Sequence, residues 1–150
     1  KKFPVLATLV SSVASLIILF FGFILISPDQ TIQTLSWRIP ILLMITYTLS
    51  LPIKDFKDIA GDKKYAIWTI PVIFGEKKSR LIIASGLFIS FMLSVFFLNE
   101  KRLFGWAVIF GILAFLTTIN EKINPRKLPY WILALVFVYG LILVKIIFLK

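Results

Sequence analysis

The chain has 150 residues, 59% of them hydrophobic and 16% charged, and a mean hydropathy of +0.98. Soluble domains are roughly 45–50% apolar and about 25% charged, so ordinary globular, collagenous and disordered classes are excluded and an integral membrane protein remains. The net charge of +10 then reads as basic loops at a membrane face, with no nucleic-acid partner implied.

A helical span needs about 20 apolar residues, and five candidates follow in order: Pro4–Ile26, Ile39–Ile53 (or from Leu35), Leu81–Leu98, Leu103–Ile119 and Leu128–Leu149. Lys1 and Lys2 ahead of the first run have the look of a signal peptide. The uncharged stretch Pro4–Ser27 is longer than a signal core, however, and no small-residue cleavage site closes it. The second run is the shortest, with Arg38 at its start and Pro40 and Pro52 expected to bend or end it. In the fifth, Lys145 can snorkel towards the headgroups. The expected fold is all-α, a multi-span transmembrane bundle forming a single domain over residues 1–150.

Orientation follows from the cations. With five spans, the N-terminus, the 54–80 connection and the 120–127 connection share one side. That side carries Lys1, Lys2, Lys54, Lys57, Lys63, Lys64, Lys77, Lys78, Arg80, Lys122, Arg126 and Lys127, against Arg38, Lys101, Arg102, Lys145 and Lys150 on the other. Positive loops stay inside, so the 54–80 loop is expected in the cytoplasm and the C-terminus across the cell membrane.

Cys and His are absent, which removes disulfides, thiolate and imidazole metal sites, Cys nucleophiles and His bases. Carboxylates are scarce, and Asp55, Asp58 and Asp62 crowd into the segment Ile53-Lys54-Asp55-Phe56-Lys57-Asp58-Ile59-Ala60-Gly61-Asp62-Lys63-Lys64. Their i, i+3, i+7 spacing lines one face of a helix; on a strand Asp55 would face away. Three like charges on one stripe repel unless a cation sits among them. A partly hydrated magnesium shared with a phosphate-bearing substrate is the usual solution, and the neighbouring lysines add charge for a polyanion. The blander reading is a solvated, mixed-charge loop of a non-enzymatic membrane protein that binds divalent cations or a partner.

Asp55-x-x-Asp58-x-x-x-Asp62, continuing through Lys63-Lys64 to Thr69, Pro71 and Gly75, resembles the second aspartate-rich motif of the UbiA-type intramembrane prenyltransferases, a DxxDxxxD followed by a basic residue and T-L-P-x-x-x-G. Two spans before the motif and three after it resemble the C-terminal part of that family's nine-helix bundle. Lys1-Lys2-Phe3-Pro4 is similar to the end of a loop whose lysine contacts diphosphate, with Lys1 as that lysine. The family's first motif, NDxxDxxxD, has no counterpart here: Asp29 is isolated, and Glu76, Glu100 and Glu121 are the other acidic residues. The chain therefore reads as a C-terminal portion that an N-terminal half would complete, or as a degenerate form without turnover.

The resemblance implies transfer of a polyprenyl group from a polyprenyl diphosphate to an aromatic or lipid acceptor, with Mg2+ bridging the motifs and the diphosphate. Asp58 and Asp62 would be the principal metal ligands, Asp55 a ligand or its neighbour, and Lys63 and Lys64 diphosphate contacts. The CDP-alcohol phosphotransferases also place aspartates at a membrane edge. Their D-x-x-D-G-x-x-A-R pattern fails here, because Ile59 follows Asp58. Tyr65, Trp68 and Phe74 read as interfacial aromatics, with stacking near a prenyl chain or cation as the alternative, Gly86, Gly105, Gly111 and Gly140 as close helix contacts, and Asn120 to Arg126 as a plain turn.

Overall fold

A computed structural model describes residues 4–26, 28 and 31–148, and among these the chain is helical with no strand. Helix α1 covers Pro4–Ile26 and α2 covers Arg38–Ser50, continued without a loop by a 3₁₀ segment over Leu51–Asp58 and by α3, Ile59–Lys64. A short α4, Ile70–Phe74, leads into α5, Glu76–Leu98. A 3₁₀ turn over Lys101–Leu103 opens α6, Phe104–Ile119, and α7 runs from Leu128 to Phe148.

The five apolar runs of the sequence are all long, apolar helices in the fold. At 23 residues, α1 rises about 34 Å, enough for a hydrocarbon layer of about 30 Å. Pro40 sits in the first turn of α2, where its missing N–H costs nothing, and Pro52 marks the switch from α to 3₁₀ geometry. Helix α5 starts at Glu76, several residues before the apolar run at Leu81, so its first turn is charged and lies at the membrane edge. The segment expected as a 54–80 loop is itself mostly helical; its irregular part is the short stretch between α3 and α4.

The helices pack in the sequence α1, α2, α5, α6, α7, each against the next, with the α5–α6 contact the most extensive. Small residues make the close contacts: Ser12, Ala84, Ala107, Ala114 and Thr118 are fully buried. Large apolar side chains such as Ile18, Leu25 and Phe96 point outward, each at least three-quarters exposed. Lipid is as apolar as a leucine, so burial is no driving force here, and close packing through small residues takes its place. Two of the four glycines expected at helix contacts act so. A Cβ on Gly86 would come within 3.1 Å of the Leu49 carbonyl oxygen, and one on Gly111 within 2.9 Å of the Phe88 ring, whereas Gly105 and Gly140 face open space.

Polar pairs fix the register. Ser12 and Thr48 share a hydrogen bond of 2.9 Å between α1 and α2. That pairing sets the start of α1 beside the end of α2. At the centre of the α5–α6–α7 packing, Phe91, Phe110 and Tyr139 form an aromatic cluster, with Phe91 edge-on to Tyr139 at 4.9 Å and the Tyr139 hydroxyl hydrogen-bonded to Ser94. The bundle therefore holds the 51–75 segment and the α6–α7 turn at one end, and the 3₁₀ turn at Lys101 at the other.

Candidate functional site

The residues 53–59 read Ile-Lys-Asp-Phe-Lys-Asp-Ile, an apolar-Lys-Asp triplet repeated. A 3₁₀ helix has three residues per turn, so i and i+3 eclipse, and the triplet resolves into three stripes. Ile53 and Phe56 are buried at 9% and 2% exposure, with Ile59 packed against the same core. Lys54 and Lys57 are exposed, and Asp55 and Asp58 share the remaining stripe, half-buried and exposed respectively. The expected single α-helical face for all three aspartates is not what the fold builds: Asp55 and Asp58 share a 3₁₀ stripe, the backbone changes pitch at Asp58 (φ −132°, ψ 31°), and Asp62 follows on α3.

Asp58 stands at the head of α3, yet its side chain makes no capping hydrogen bond. Among the described residues, the carboxylates of Asp58 and Asp62 form no hydrogen bond or salt bridge, while Asp55 has a partner. Asp62 is half-buried, and Lys63 and Lys64 beside it are exposed, with the Lys64 ammonium 5.6 Å from the centre of the Tyr65 ring. Lys1 lies outside the described residues. No group of three carboxylates converges tightly enough to hold a metal ion unaided, among the described residues. Magnesium does not require it: the ion keeps several waters and binds through one or two carboxylates plus substrate phosphates. Two unengaged carboxylates, oxygen donors only, fit that demand.

The tail of the motif has a structural purpose. After α3 the backbone turns through Ala66 at φ 51°, with Ile67 N–H donating to the Asp62 carbonyl at 2.8 Å and Ala66 N–H to that of Lys63 at 3.3 Å. This is a Schellman cap with alanine in the position that favours glycine. Thr69 precedes α4, Pro71 lies in its first turn, and Gly75, at φ 77° and ψ 160°, joins α4 to α5 in a conformation open to glycine. The Ser79 hydroxyl donates to the Ile70 carbonyl at 2.9 Å and ties the two helices together. Tyr65, Trp68 and Phe74 are exposed, as expected of interfacial aromatics.

Arg80, counted from the sequence among the cations of the 54–80 side, is not a free loop charge. Arg80 is 2% exposed, and its five N–H donors all find acceptors. Nε and Nη2 reach Glu76 Oε1 at 3.1 and 2.9 Å. Nη1 reaches the carbonyls of Thr118 and Asn120, both at 3.0 Å, and Nη2 that of Ile123 at 3.0 Å. The guanidinium also lies 5.6 Å from the centre of the Phe56 ring, which sits between the two aspartates of the 3₁₀ stripe. One side chain therefore joins α5, the end of α6, the α6–α7 turn and the motif. The plain turn of the sequence reading is in fact part of the site's wall. A cleft of about 230 Å³ separates Lys57 and Asp58 from Asn124 and Arg126, with Glu76 also lining it.

Residues 1–127 match the UbiA prenyltransferase family. The chain belongs to that family. A relative among curated proteins is the somaliensene A/B synthase of Streptomyces somaliensis, 37% identical over 51 residues. The matched stretch is 34% of this chain and 17% of that protein's length. No solved structure matches. Family membership and five membrane-length helices together describe an integral membrane protein of the prenyltransferase type.

Proposed function

We propose that the protein acts in prenyl transfer from a polyprenyl diphosphate to an aromatic or lipid acceptor, with magnesium held at Asp58 and Asp62. The observation that carries this reading is a pair of unengaged carboxylates at the end of a membrane bundle, flanked by exposed lysines, in a chain of the UbiA family. Asp55, on the same stripe as Asp58, is assigned as a further ligand or as a hydrogen-bond neighbour of one. Lys63 and Lys64 contact the diphosphate oxygens, and Lys57 and Arg126, on facing sides of the cleft, add to the cationic surround. Lys1 is assigned to the same anion by the resemblance.

Held by Asp58 and Asp62, magnesium would supply positive charge for the diphosphate and for the charge that grows on it as the allylic carbon–oxygen bond breaks. The lysines supply fixed positive charge to the same oxygens. The prenyl chain lies among the apolar helices, whose surface it matches, and its allylic carbon is attacked by the acceptor, which then loses a proton. Diphosphate leaves as the second product.

The test is prenyl transfer from a radiolabelled diphosphate in membranes bearing the full-length protein, with magnesium supplied or chelated. Chelation is expected to abolish transfer, and Asp58→Ala and Asp62→Ala each to lower it at least 100-fold at unchanged protein level. Undiminished transfer by both variants would sink the assigned roles.

A further inference from the structure

We propose that Gly61 is a positioning residue that makes room for the Asp58 carboxylate. Glycine is among the poorest helix formers, yet Gly61 stands in the middle of the six-residue α3. A left-handed backbone does not explain it, since Gly75 is the glycine with positive φ among the described residues. Nor is a neighbouring helix what an added side chain would meet first. A Cβ built at Gly61 would meet the Asp58 carboxylate, its Cγ at 2.9 Å and its Oδ2 at 3.1 Å. The three nearest atoms all belong to that one side chain. At Gly22, Gly75, Gly105 and Gly140 an added Cβ meets nothing, and at Gly86 and Gly111 it meets a neighbouring helix.

The geometry follows from the break at Asp58. Its backbone leaves the helical region, and its side chain makes no capping bond and folds back over the first turn of α3. The carboxylate then rests against the bare Cα of Gly61, one residue before Asp62. A methyl group at position 61 leaves the backbone alone and turns the carboxylate away by rotating a short, free side chain. The two unengaged carboxylates lose their common setting while the helix is retained.

This inference rests on Asp58 being a ligand, as proposed above, and the experiment separates the two. Full-length protein in detergent is titrated with Mn2+ as the probe, by electron paramagnetic resonance, for the natural chain, Gly61→Ala, Asp58→Asn and the double variant. Thermal unfolding is followed in parallel. Gly61→Ala is expected to keep or raise the unfolding midpoint and to weaken Mn2+ binding at least fivefold. It adds nothing further in the Asp58→Asn background, because its effect passes through that carboxylate. Gly61→Ser, whose side chain also begins at Cβ, is expected to behave alike and is read alongside. Unchanged Mn2+ affinity in both Gly61 variants, with Asp58→Asn weakened, would overturn the role of Gly61 and leave the ligand standing. An additional loss in the double variant would also overturn it. Unchanged affinity in Asp58→Asn would overturn the ligand reading itself, and the inference with it.

Discussion

Arg80 shows how a charge can be held at a membrane edge without water. Five donors meet one carboxylate and three backbone carbonyls, and those carbonyls belong to the end of α6 and the turn after it, where no further helical N–H can satisfy them. Removing the guanidinium leaves the buried Thr118 carbonyl without this partner, at a cost of about 1–3 kcal/mol, to which the lost packing of a large buried side chain adds; Glu76 and the Asn120 carbonyl lie nearer the surface. Arg80→Ala is therefore expected to lower stability by on the order of 3 kcal/mol, read as an earlier midpoint in SDS unfolding followed by tryptophan fluorescence. Arg80→Lys recovers only part of the loss, since an ammonium has three donors and no planar fork. Glu76→Gln is expected to be mild, because its amide oxygen still accepts from the guanidinium. The sequence placed Arg80 among the loop charges because, Glu76 four residues earlier apart, its acceptors are backbone carbonyls 38 to 43 residues ahead in the chain. A single residue's surroundings at that separation leave no local signal.

At the scale of elements, the spans were legible because long apolar runs in a charged-poor chain have one physical outcome, and their bounds agree within a few residues except at α5. The motif was legible as chemistry but its geometry was not. The i, i+3, i+7 spacing was read on an α-helix, whereas the period of three in Ile53, Phe56 and Ile59 carries the 3₁₀ geometry that the fold adopts. Those apolar residues anchor the segment on the core, and the aspartates are turned outward as a consequence. The cap that ends α3 makes a separate expectation. Ala66 occupies the left-handed region at φ 51°, where a Cβ is unfavourable and glycine is not. Ala66→Gly is expected to raise stability by about 1 kcal/mol, reduced by glycine's greater freedom in the unfolded chain. A later thermal midpoint with unchanged Mn2+ affinity is the expected outcome. A lower midpoint would mean that the turn is not held in this conformation.

The whole molecule is polar along its long axis. The Ser12–Thr48 pair, the Lys77–Glu121 salt bridge at 3.1 Å and the Arg80 network bring the start of α1, the motif and the α6–α7 turn to one end. Lys54, Lys57, Lys63, Lys64, Lys77, Lys78, Lys122, Arg126 and Lys127 are exposed there. At the other end, Arg102 is paired with Glu100 at 2.8 Å, which offsets part of a smaller cationic charge. The exposed pair Lys77–Glu121 contributes little to stability, so the asymmetry matters for insertion and for the anion that the site is proposed to bind, more than for the fold. The positive-inside rule makes the cytoplasm the expected side for the more basic end. The 150 residues contain no cysteine, so a single introduced thiol reports its own side of the membrane without background from this segment. Lys57→Cys and Lys122→Cys are expected to react with a membrane-impermeant maleimide only after cells are permeabilised, and Lys101→Cys in intact cells. Both ends labelling from the same side would contradict the bundle, and the reverse pattern would overturn the expected orientation by placing the aspartates outside.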